Sequence, residues 1–484
     1  MNRKFIGFAI ALLLGVNAAA PFASAQIGGA VSGKIEDASG GPVSGATITV
    51  RSLETGLVKT ATTNGDGLFT VAPLPLGKQE VKVEKTGFKT VIWPGIDLQL
   101  GQDAAVNLRL EVGELAQQLT VLAESPLVNI TTSPVSGVVT AEEVKDLPLN
   151  GRSFDNLIAL NPSAIDYTLK SAGTSTSNGY EFSVAGRRPM ENLFLLNGVE
   201  YMGSSQLAVT PGGASQQLLG IDAVREFNLL SDTYGAEYGK RAGAQVLIVT
   251  QSGGNALHGS VFEFLRNSAM DARNFFDGAS PAPLKRNQFG GSLGGPIKKD
   301  KLFLFGNYEG FRQSYAASSV SVVPDANTRQ GLLPNATTGV LAPAAGLNPA
   351  ILPYMALWPV QNGPELLVNG VASGIGLSYN SPAQHIREDF GTARGDYVLN
   401  SKSSFSLAYT IDNGYNLSPL ADPLFGSALN LVNQVASSQD THTFSPNVVN
   451  VFTTGFSRAA YTFNPASFTN FPASAKIARS RRKT

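Results

Sequence analysis

Residues 193–199 read LFLLNGV, residues 221–227 read IDAVREF, and residues 245–250 read QVLIVT. The first and third segments are apolar and β-prone, which indicates strands, and Asn197-Gly198 is typical of a two-residue hairpin turn. Ile221, Val224 and Phe227 recur at helical spacing, so the middle segment is predicted as a short helix. Residues 182–252 are therefore predicted as one unit that runs strand, turn, helix, turn and strand.

This order of motifs resembles the plug domain of TonB-dependent outer-membrane receptors. The matching features are Asn197-Gly198-Val199, the segment 221–227, Tyr234-Gly235 with Gly243, and the strand over 246–250. Asn197 stands where the family usually has Asp, and Gln251-Ser252 replaces the usual Thr-Lys or Thr-Arg. Both changes keep the turn and strand chemistry, and we predict a plug domain over residues 141–255.

Further phrases resemble the Oar-like branch of this family. They are LPLNGR at residues 147–152 and FGGSLGGPIKKDKLFLF at residues 289–305. Gly186-Arg187-Arg188 precedes the plug strand, and two interpretations of it are open. The resemblance places Arg187 and Arg188 against barrel-wall carboxylates or substrate, whereas the alternative is a pair of solvated turn residues.

The first 25 residues predict a signal peptide. Arg3 and Lys4 precede an apolar run over 5–16, and Ala23-Ser24-Ala25 offers a small-residue cleavage site. The run is shorter than the roughly 20 residues that span a bilayer, and no later apolar run reaches that length. An uncleaved membrane anchor is the alternative. Export without a later spanning helix leaves three alternatives, a periplasmic protein, a secreted protein or an outer-membrane barrel, of which the resemblance implies the third.

Composition excludes several kinds of site. The chain of 484 residues has no Cys, which excludes disulfides, thiolate metal sites and cysteine nucleophiles. Lys+Arg equals Asp+Glu at 36 each, so no global field attracts nucleic acid. Charged residues make up 15% of the chain, against about 25% in ordinary soluble domains. The composition is typical of a β-rich envelope protein.

Residues 26–111 are predicted as a small β-sandwich. Alternating strands over 31–35, 46–50, 68–71 and 81–84 are separated by glycine and proline turns. This spacing resembles the carboxypeptidase regulatory-like domain, a carbohydrate-binding-like fold. Residues 64–67 read NGDG, which predicts a hairpin turn, because a calcium loop would need more oxygen ligands and a distal carboxylate. A sugar-binding role follows from the resemblance alone.

Residues 112–140 are predicted as a linker with a β-prone patch over 118–122. The resemblance implies a TonB box here, with Leu119, Thr120, Val121 and Leu122 as its candidates. Such a box adds a strand to TonB through backbone hydrogen bonds, which demand little of the sequence. An edge strand of the first domain is an equally weighted alternative.

Residues 256–484 are predicted as part of an antiparallel transmembrane β-barrel. Alternating strands cover 259–266, 287–297, 302–309 and 404–409, with a less regular pattern over 447–463. Residues 311–385 are rich in Pro, Gly and Asn and predict a long extracellular loop. About 225 residues supply on the order of eight to ten strands. That number and the basic tail at 478–484 predict a C-terminally truncated barrel that does not close alone.

No enzyme chemistry is predicted. The glycine-rich segment 290–295 lacks the Gly-Lys-Ser/Thr ending of a phosphate-binding loop. His385 and Glu388 have the H-x-x-E spacing of a metallocarboxypeptidase, but they fall in a predicted strand without a substrate site. No metal, cofactor or catalytic residue is therefore expected.

The fold class expected from these segments is mainly β: a transthyretin-like sandwich, an α+β plug and the first part of a barrel. The resemblance implies transport of a substrate too large for porins, driven through TonB and its inner-membrane energising complex. The implied partners are TonB, outer-membrane lipid and an unidentified oligosaccharide, peptide or metal chelate. The alternatives are a non-transporting surface binding or signalling receptor, or a non-functional fragment.

Overall fold

The computed structural model describes residues 28–113, 118–120, 135–140, 143–144, 149–166, 179–201, 210–232, 234–235, 238–273, 281–316, 319–420, 422–445 and 448–467. The predicted signal peptide, Val121 and Leu122 of the TonB-box candidate, and the basic tail lie outside these residues. No helix in the described residues is long and apolar enough to cross a membrane.

The N-terminal domain is a two-sheet sandwich. Its strands are β1 (Gly29–Asp37), β2 (Thr47–Ser52), β3 (Val58–Thr62), β4 (Leu68–Leu74), β5 (Gly77–Glu84), β6 (Thr90–Leu98), β7 (Asp103–Ala105) and β8 (Leu108–Leu110). One sheet contains β4, β1, β7 and β8, and the other runs β3-β2-β5-β6. Alternate residues of both sheets meet in one apolar core that includes Ile35, Ile48 and Leu98.

The turn at 64–67 joins the two sheets, so the predicted hairpin is wrong although the turn is present. Asn64 Oδ1 accepts hydrogen bonds from the backbone N–H groups of Asp66 (3.0 Å) and Leu68 (2.9 Å). Gly67 adopts a φ of +74°, which favours glycine. β3 and β4 therefore lie on opposite sides of this turn, in different sheets.

The stretch predicted as a linker supplies strands to both neighbouring units. β9 (Gln118–Thr120) pairs in parallel with β6, which extends the second sandwich sheet. β10 (Val135–Thr140) pairs antiparallel with a strand of the plug sheet, so it belongs to the plug rather than to a linker.

The plug is a five-stranded sheet with short 3-10 turns. The Asn150–Arg152 and Phe154–Leu160 turns precede β11 (Ala164–Asp166), β12 (Phe182–Val184), a turn at Pro189–Glu191, β13 (Leu193–Leu196), β14 (Val199–Glu200), a turn at Ile221–Ala223, β15 (Val224–Asp232) and β16 (Gln245–Thr250). The sheet order is β10-β15-β16-β13-β14, and β11 pairs with β12. The helix predicted over 221–227 is wrong: a three-residue 3-10 turn leads directly into β15.

The third unit is a seven-stranded antiparallel sheet. Its strands are β17 (His258–Asn267), β18 (Leu284–Lys298), β19 (Leu302–Ala316), β25 (Ala383–Asn400), β26 (Ser403–Pro419), β27 (Phe425–Ser445) and β28 (Val448–Ser467), paired in that order. The irregular pattern at 447–463 is thus one long strand. The predicted H-x-x-E segment does lie in a strand, β25.

The predicted loop at 311–385 is largely ordered. It contains β20 (Ser319–Pro324), β21 (Leu332–Pro334), β22 (Leu341–Pro343), β23 (Glu365–Val368) and β24 (Val371–Asn380), with 3-10 turns at Thr328–Gln330 and Pro349–Leu357. β20, β24 and β23 form a small sheet of their own. Many glycine and proline residues therefore mark the ends of short strands here rather than a structureless loop.

Candidate functional site

The Asn197-Gly198 turn is built as predicted and carries an additional role. Both residues have positive φ values, 48° and 78°, as the favoured two-residue hairpin turn requires. The buried Asn197 side chain accepts from the Thr250 N–H (3.0 Å) and donates to Thr250 Oγ1 (3.1 Å). The turn is therefore fastened to the end of β16, the central strand of the plug.

The same end of β16 contacts the barrel wall. Arg394 on β25 donates from Nη1 to the Thr250 carbonyl oxygen at 2.9 Å. Asp396 pairs with the Arg394 guanidinium at 2.9 Å, which orients it toward the plug. One polar chain thus connects the predicted plug motif to the barrel through Asn197, Thr250 and Arg394.

Two buried carboxylates of the barrel wall receive backbone N–H groups of the plug. Glu309 on β19 accepts from Gly220 N–H at 2.9 Å, and Glu388 on β25 accepts from Ser215 N–H at 2.5 Å. Both glutamates are fully buried. A Cβ added at Gly213 would lie 1.9 Å from Glu388 Oε1, so this plug segment passes against the wall where only glycine fits.

A second contact involves the LPLNGR motif. Arg152 donates to Asp222 Oδ2 at 2.7 Å, and the Ser260 hydroxyl on β17 donates to Asp222 Oδ1 at 2.7 Å. The Arg152 guanidinium lies 4.0 Å from the ring centroid of Phe262, a cation–π distance. We call the contacts of Arg152, Ser215, Gly220 and Asp222 with Ser260, Phe262, Glu309 and Glu388 the plug latch.

The predicted site residues lie apart from this latch. Arg187 and Arg188 are exposed at a turn, and in the described part of the chain neither guanidinium pairs with a carboxylate. Tyr234 donates its hydroxyl to the Gly243 carbonyl oxygen at 2.9 Å, which closes the loop that begins at Gly235. Leu119 and Thr120 of the TonB-box candidate lie in β9 on the sandwich.

The N-terminal domain contacts the plug at the start of β15. Arg225 forms a two-pronged ion pair with Glu54 at 2.9 and 3.0 Å and donates to the Leu76 carbonyl oxygen at 3.0 Å. Glu226 accepts from Leu100 N–H at 2.6 Å. A cavity of about 640 Å³ remains between sandwich, plug and barrel, lined in part by Glu54, Arg225 and Arg394.

A buried carboxyl in the plug makes its stability depend on pH. Burial raises the pKa of Asp155 to about 7, and the hydrogen bond from the Ser153 hydroxyl opposes that shift. The folded plug therefore holds a proton that the unfolded chain releases near pH 4, so this group destabilises the plug as pH rises from about 4 to 7.

We expect Asp155→Asn to remove this dependence. Relative to wild type, the variant should gain unfolding free energy between about pH 4.5 and 7.5, measured by urea titration of the full chain in detergent. Burial also raises the pKa of Glu226 to about 7, and because Glu226 is present in both proteins its contribution cancels. A difference between the proteins that stays constant with pH would contradict this assignment.

Comparison with known proteins is consistent with this architecture. A carboxypeptidase regulatory-like domain model matches residues 30–111, and an outer membrane beta barrel domain model matches residues 249–482. The TonB-dependent transporter Oar of Myxococcus xanthus is 26% identical over 266 residues, which cover 52% of this chain and 23% of Oar. The chain thus spans about a quarter of the length of that relative.

Solved structures of similar proteins include two outer-membrane proteins. The outer membrane transporter YddB from Escherichia coli has a TM-score of 0.41 and 11% identity, covering 64% of this chain and 37% of its own. The siderophore receptor PiuA from Acinetobacter baumannii has a TM-score of 0.38 and 11% identity, covering 73% and 51%. On the sequence matches, the chain is an Oar-like protein with an outer membrane beta barrel domain and an N-terminal carboxypeptidase regulatory-like domain.

Proposed function

We propose that the chain acts in TonB-dependent transport of a substrate too large for porins, by displacement of the plug. The observation that carries this proposal is the plug latch, in which Gly220 and Ser215 donate backbone N–H groups to Glu309 and Glu388. A single hydrogen bond contributes only about 0.5–1.5 kcal/mol to stability, so such bonds can be exchanged one at a time. A plug held in this way can shift without unfolding its apolar core.

The coupling segment is proposed to include Leu119, Thr120, Val121 and Leu122. Among the described residues, pairing of β9 with β6 covers three residues, from Thr90–Gln118 to Ile92–Thr120. So short a parallel pairing is easily exchanged for pairing with another chain, which is the mode by which an extended segment adds to a partner sheet. TonB is the partner that the family implies, and the N-terminal domain is accordingly placed in the periplasm.

The N-terminal domain is proposed to restrict the periplasmic exit. Its ion pair between Glu54 and Arg225 lines the cavity between sandwich, plug and barrel, which supports an exit path for substrate beside this contact. A pull on the adjacent coupling segment would draw the domain away and open the cavity. The substrate is an oligosaccharide, a peptide or a metal chelate.

Plug movement can be tested without knowing the substrate. Ser437 faces the lumen from β27 and is 7% exposed, and the chain has no native Cys. In cells that express the Ser437→Cys chain, a membrane-impermeant maleimide should label the introduced thiol several-fold faster when TonB is energised than after treatment with a protonophore.

The matched control deletes residues 118–123 in the same background. Labelling should then remain at the slow rate in energised cells, because the plug is no longer pulled. Equal labelling with and without energy would favour a surface receptor that does not transport, or an inactive fragment. Fast labelling that survives the deletion would place the coupling segment elsewhere.

A further inference from the structure

The barrel strands present alternate residues to the plug and to the membrane. On β19, Phe303, Phe305 and Phe311 are buried against the interior, whereas Leu304 and Tyr308 are exposed on the other face. The same alternation continues through β18 and β25 by the antiparallel register. Arg312, at the same parity as Leu304 and Tyr308, therefore lies on the outward face.

Outward basic residues meet on three adjacent strands, β18, β19 and β25, next to a tyrosine on the fourth strand, β26. One cross-strand row pairs Asn287 with Arg312, Arg312 with Arg387, and Arg387 with Tyr415. The neighbouring row pairs Lys285 with Ser314 and Ser314 with His385. These side chains line one cavity of about 310 Å³, and none of the described residues that line it is acidic. We call Lys285, Asn287, Arg312, His385, Arg387 and Tyr415 the outer-face cation cluster.

Among the described residues, the positive charges of this cluster outnumber the carboxylates that pair with them. Arg312 and Arg387 are directly opposite each other, an arrangement that like charges disfavour. Asp389 lies between them and pairs with both, at 2.6 Å from Arg312 Nη2 and 3.0 Å from Arg387 Nε. One carboxylate thus serves two guanidinium groups, and the Lys285 ammonium adds a third positive charge. The cluster retains capacity for an anion.

The outer-face cation cluster lies at the extracellular edge of the apolar band that the barrel presents to the membrane. The short turn between Lys298 and Leu302 marks the periplasmic end, because barrels have short periplasmic turns and longer extracellular loops. Arg312 follows Leu302 by ten residues, which at about 3.3 Å per residue and a tilt near 40° is roughly 25 Å. That rise equals the height of the apolar band, about 25 Å.

The surface below the cluster is apolar. Leu293, Leu304 and Tyr308 are exposed on the same outward face, toward the periplasmic end. A ligand here therefore meets cationic and hydrogen-bonding groups above and hydrocarbon-facing side chains below. Arg forks and a Lys ammonium match phosphate oxygens, and this vertical order matches an acylated lipid with a phosphorylated headgroup.

We propose that the outer-face cation cluster binds a phosphate group of the glycolipid in the outer leaflet. Arg312 and Arg387 hold the phosphate together with Lys285, while Asn287 and Tyr415 are placed to hydrogen-bond the sugar. The acyl chains lie along Leu293 and Leu304. The site is on the outside of the barrel and does not depend on substrate transport.

The test uses the full chain in detergent micelles with lipid A as the probe and native mass spectrometry as the readout. We expect one phosphorylated lipid A per chain and binding at least about tenfold weaker for lipid A without phosphates. The Lys285→Gln/Arg387→Gln double variant should bind phosphorylated lipid A more weakly than wild type by a similar factor. Arg458→Gln is the control, since Arg458 is an outward arginine hydrogen-bonded to Gln434 on another part of the sheet.

A second variant keeps the test decisive if the double variant does not fold. Asp389→Asn removes the internal carboxylate that pairs with Arg312 and Arg387, so lipid A should bind more tightly. Weaker or unchanged binding by Asp389→Asn would overturn the proposal. Three other results would overturn it as well. They are equal binding of phosphorylated and dephosphorylated lipid A, a loss of binding in Arg458→Gln as large as in the double variant, and full displacement of bound lipid A by millimolar inorganic phosphate.

Discussion

Replacing Ile48 by alanine is expected to lower the unfolding free energy of the excised N-terminal domain, residues 28–113, by about 2–5 kcal/mol. Ile48 is fully buried on β2, between Ala61 of β3 and Val83 of β5 in the register. Removal of three carbon atoms there leaves a cavity in a core shared by both sheets, and the surrounding strands can only partly close it.

The domain carries its own probe for this experiment. Trp93 is the only tryptophan in residues 28–113 and packs in the sandwich core, so its fluorescence should report one cooperative transition. Leu68→Ala is the matched control, because Leu68 is 47% exposed on the same domain. It should lower the unfolding free energy by only about 0.5 kcal/mol. A shift of the wild-type transition with a chelator, or equal costs for the two variants, would contradict an autonomous metal-independent sandwich.

The Asn197-Gly198 turn can be predicted from the sequence, but the spacing of apolar residues over 221–227 predicts the wrong element. The Asn197-Gly198 turn forms because these residue types tolerate positive φ, a local property. The helical spacing of Ile221, Val224 and Phe227 predicts the wrong element because β15 lies between β10 and β16 in the plug sheet, with nearly all of its residues buried. A strand buried on both faces shows no polar alternation, so its period carries no signal.

The plug latch could not be predicted for a different reason. Its donors at Ser215 and Gly220 are backbone N–H groups, which leave no residue-type signature. Glu309 and Glu388 lie in strands of the predicted barrel, yet nothing in the sequence says which plug segment faces them. The resemblance offered Arg187 and Arg188 for the wall as one of two open interpretations. The arginine that contacts Phe262 of the wall is Arg152, which the LPLNGR motif contains without indicating a contact.

Gly220→Ala is expected to dislodge the plug from the barrel wall, with a loss of about 3 kcal/mol or more in unfolding free energy. Gly220 adopts a φ of +94°, where an L side chain is strained, and its added Cβ would lie 2.2 Å from Cε1 of the buried Phe390. Because the Phe390 ring is buried, relieving this overlap shifts the Gly220 backbone, which carries the N–H group that donates a hydrogen bond to Glu309. Backbone strain, steric overlap and the loss of a hydrogen bond thus act together at one residue.

Gly186→Ala separates these causes. Gly186 also has a positive φ, +73°, but its added Cβ would meet no atom within 4 Å, so only the backbone strain of about 1–2 kcal/mol remains. Urea titration of both full-length variants in detergent, followed by limited proteolysis, provides the comparison. If Gly220→Ala loses no more unfolding free energy than Gly186→Ala, and its plug is equally resistant to protease, the latch does not hold the plug. We expect Gly220→Ala to lose more unfolding free energy than Gly186→Ala and to be cleaved early in the plug. The reason is that the barrel wall, rather than the plug's own core, fixes the position of the segment around Gly220.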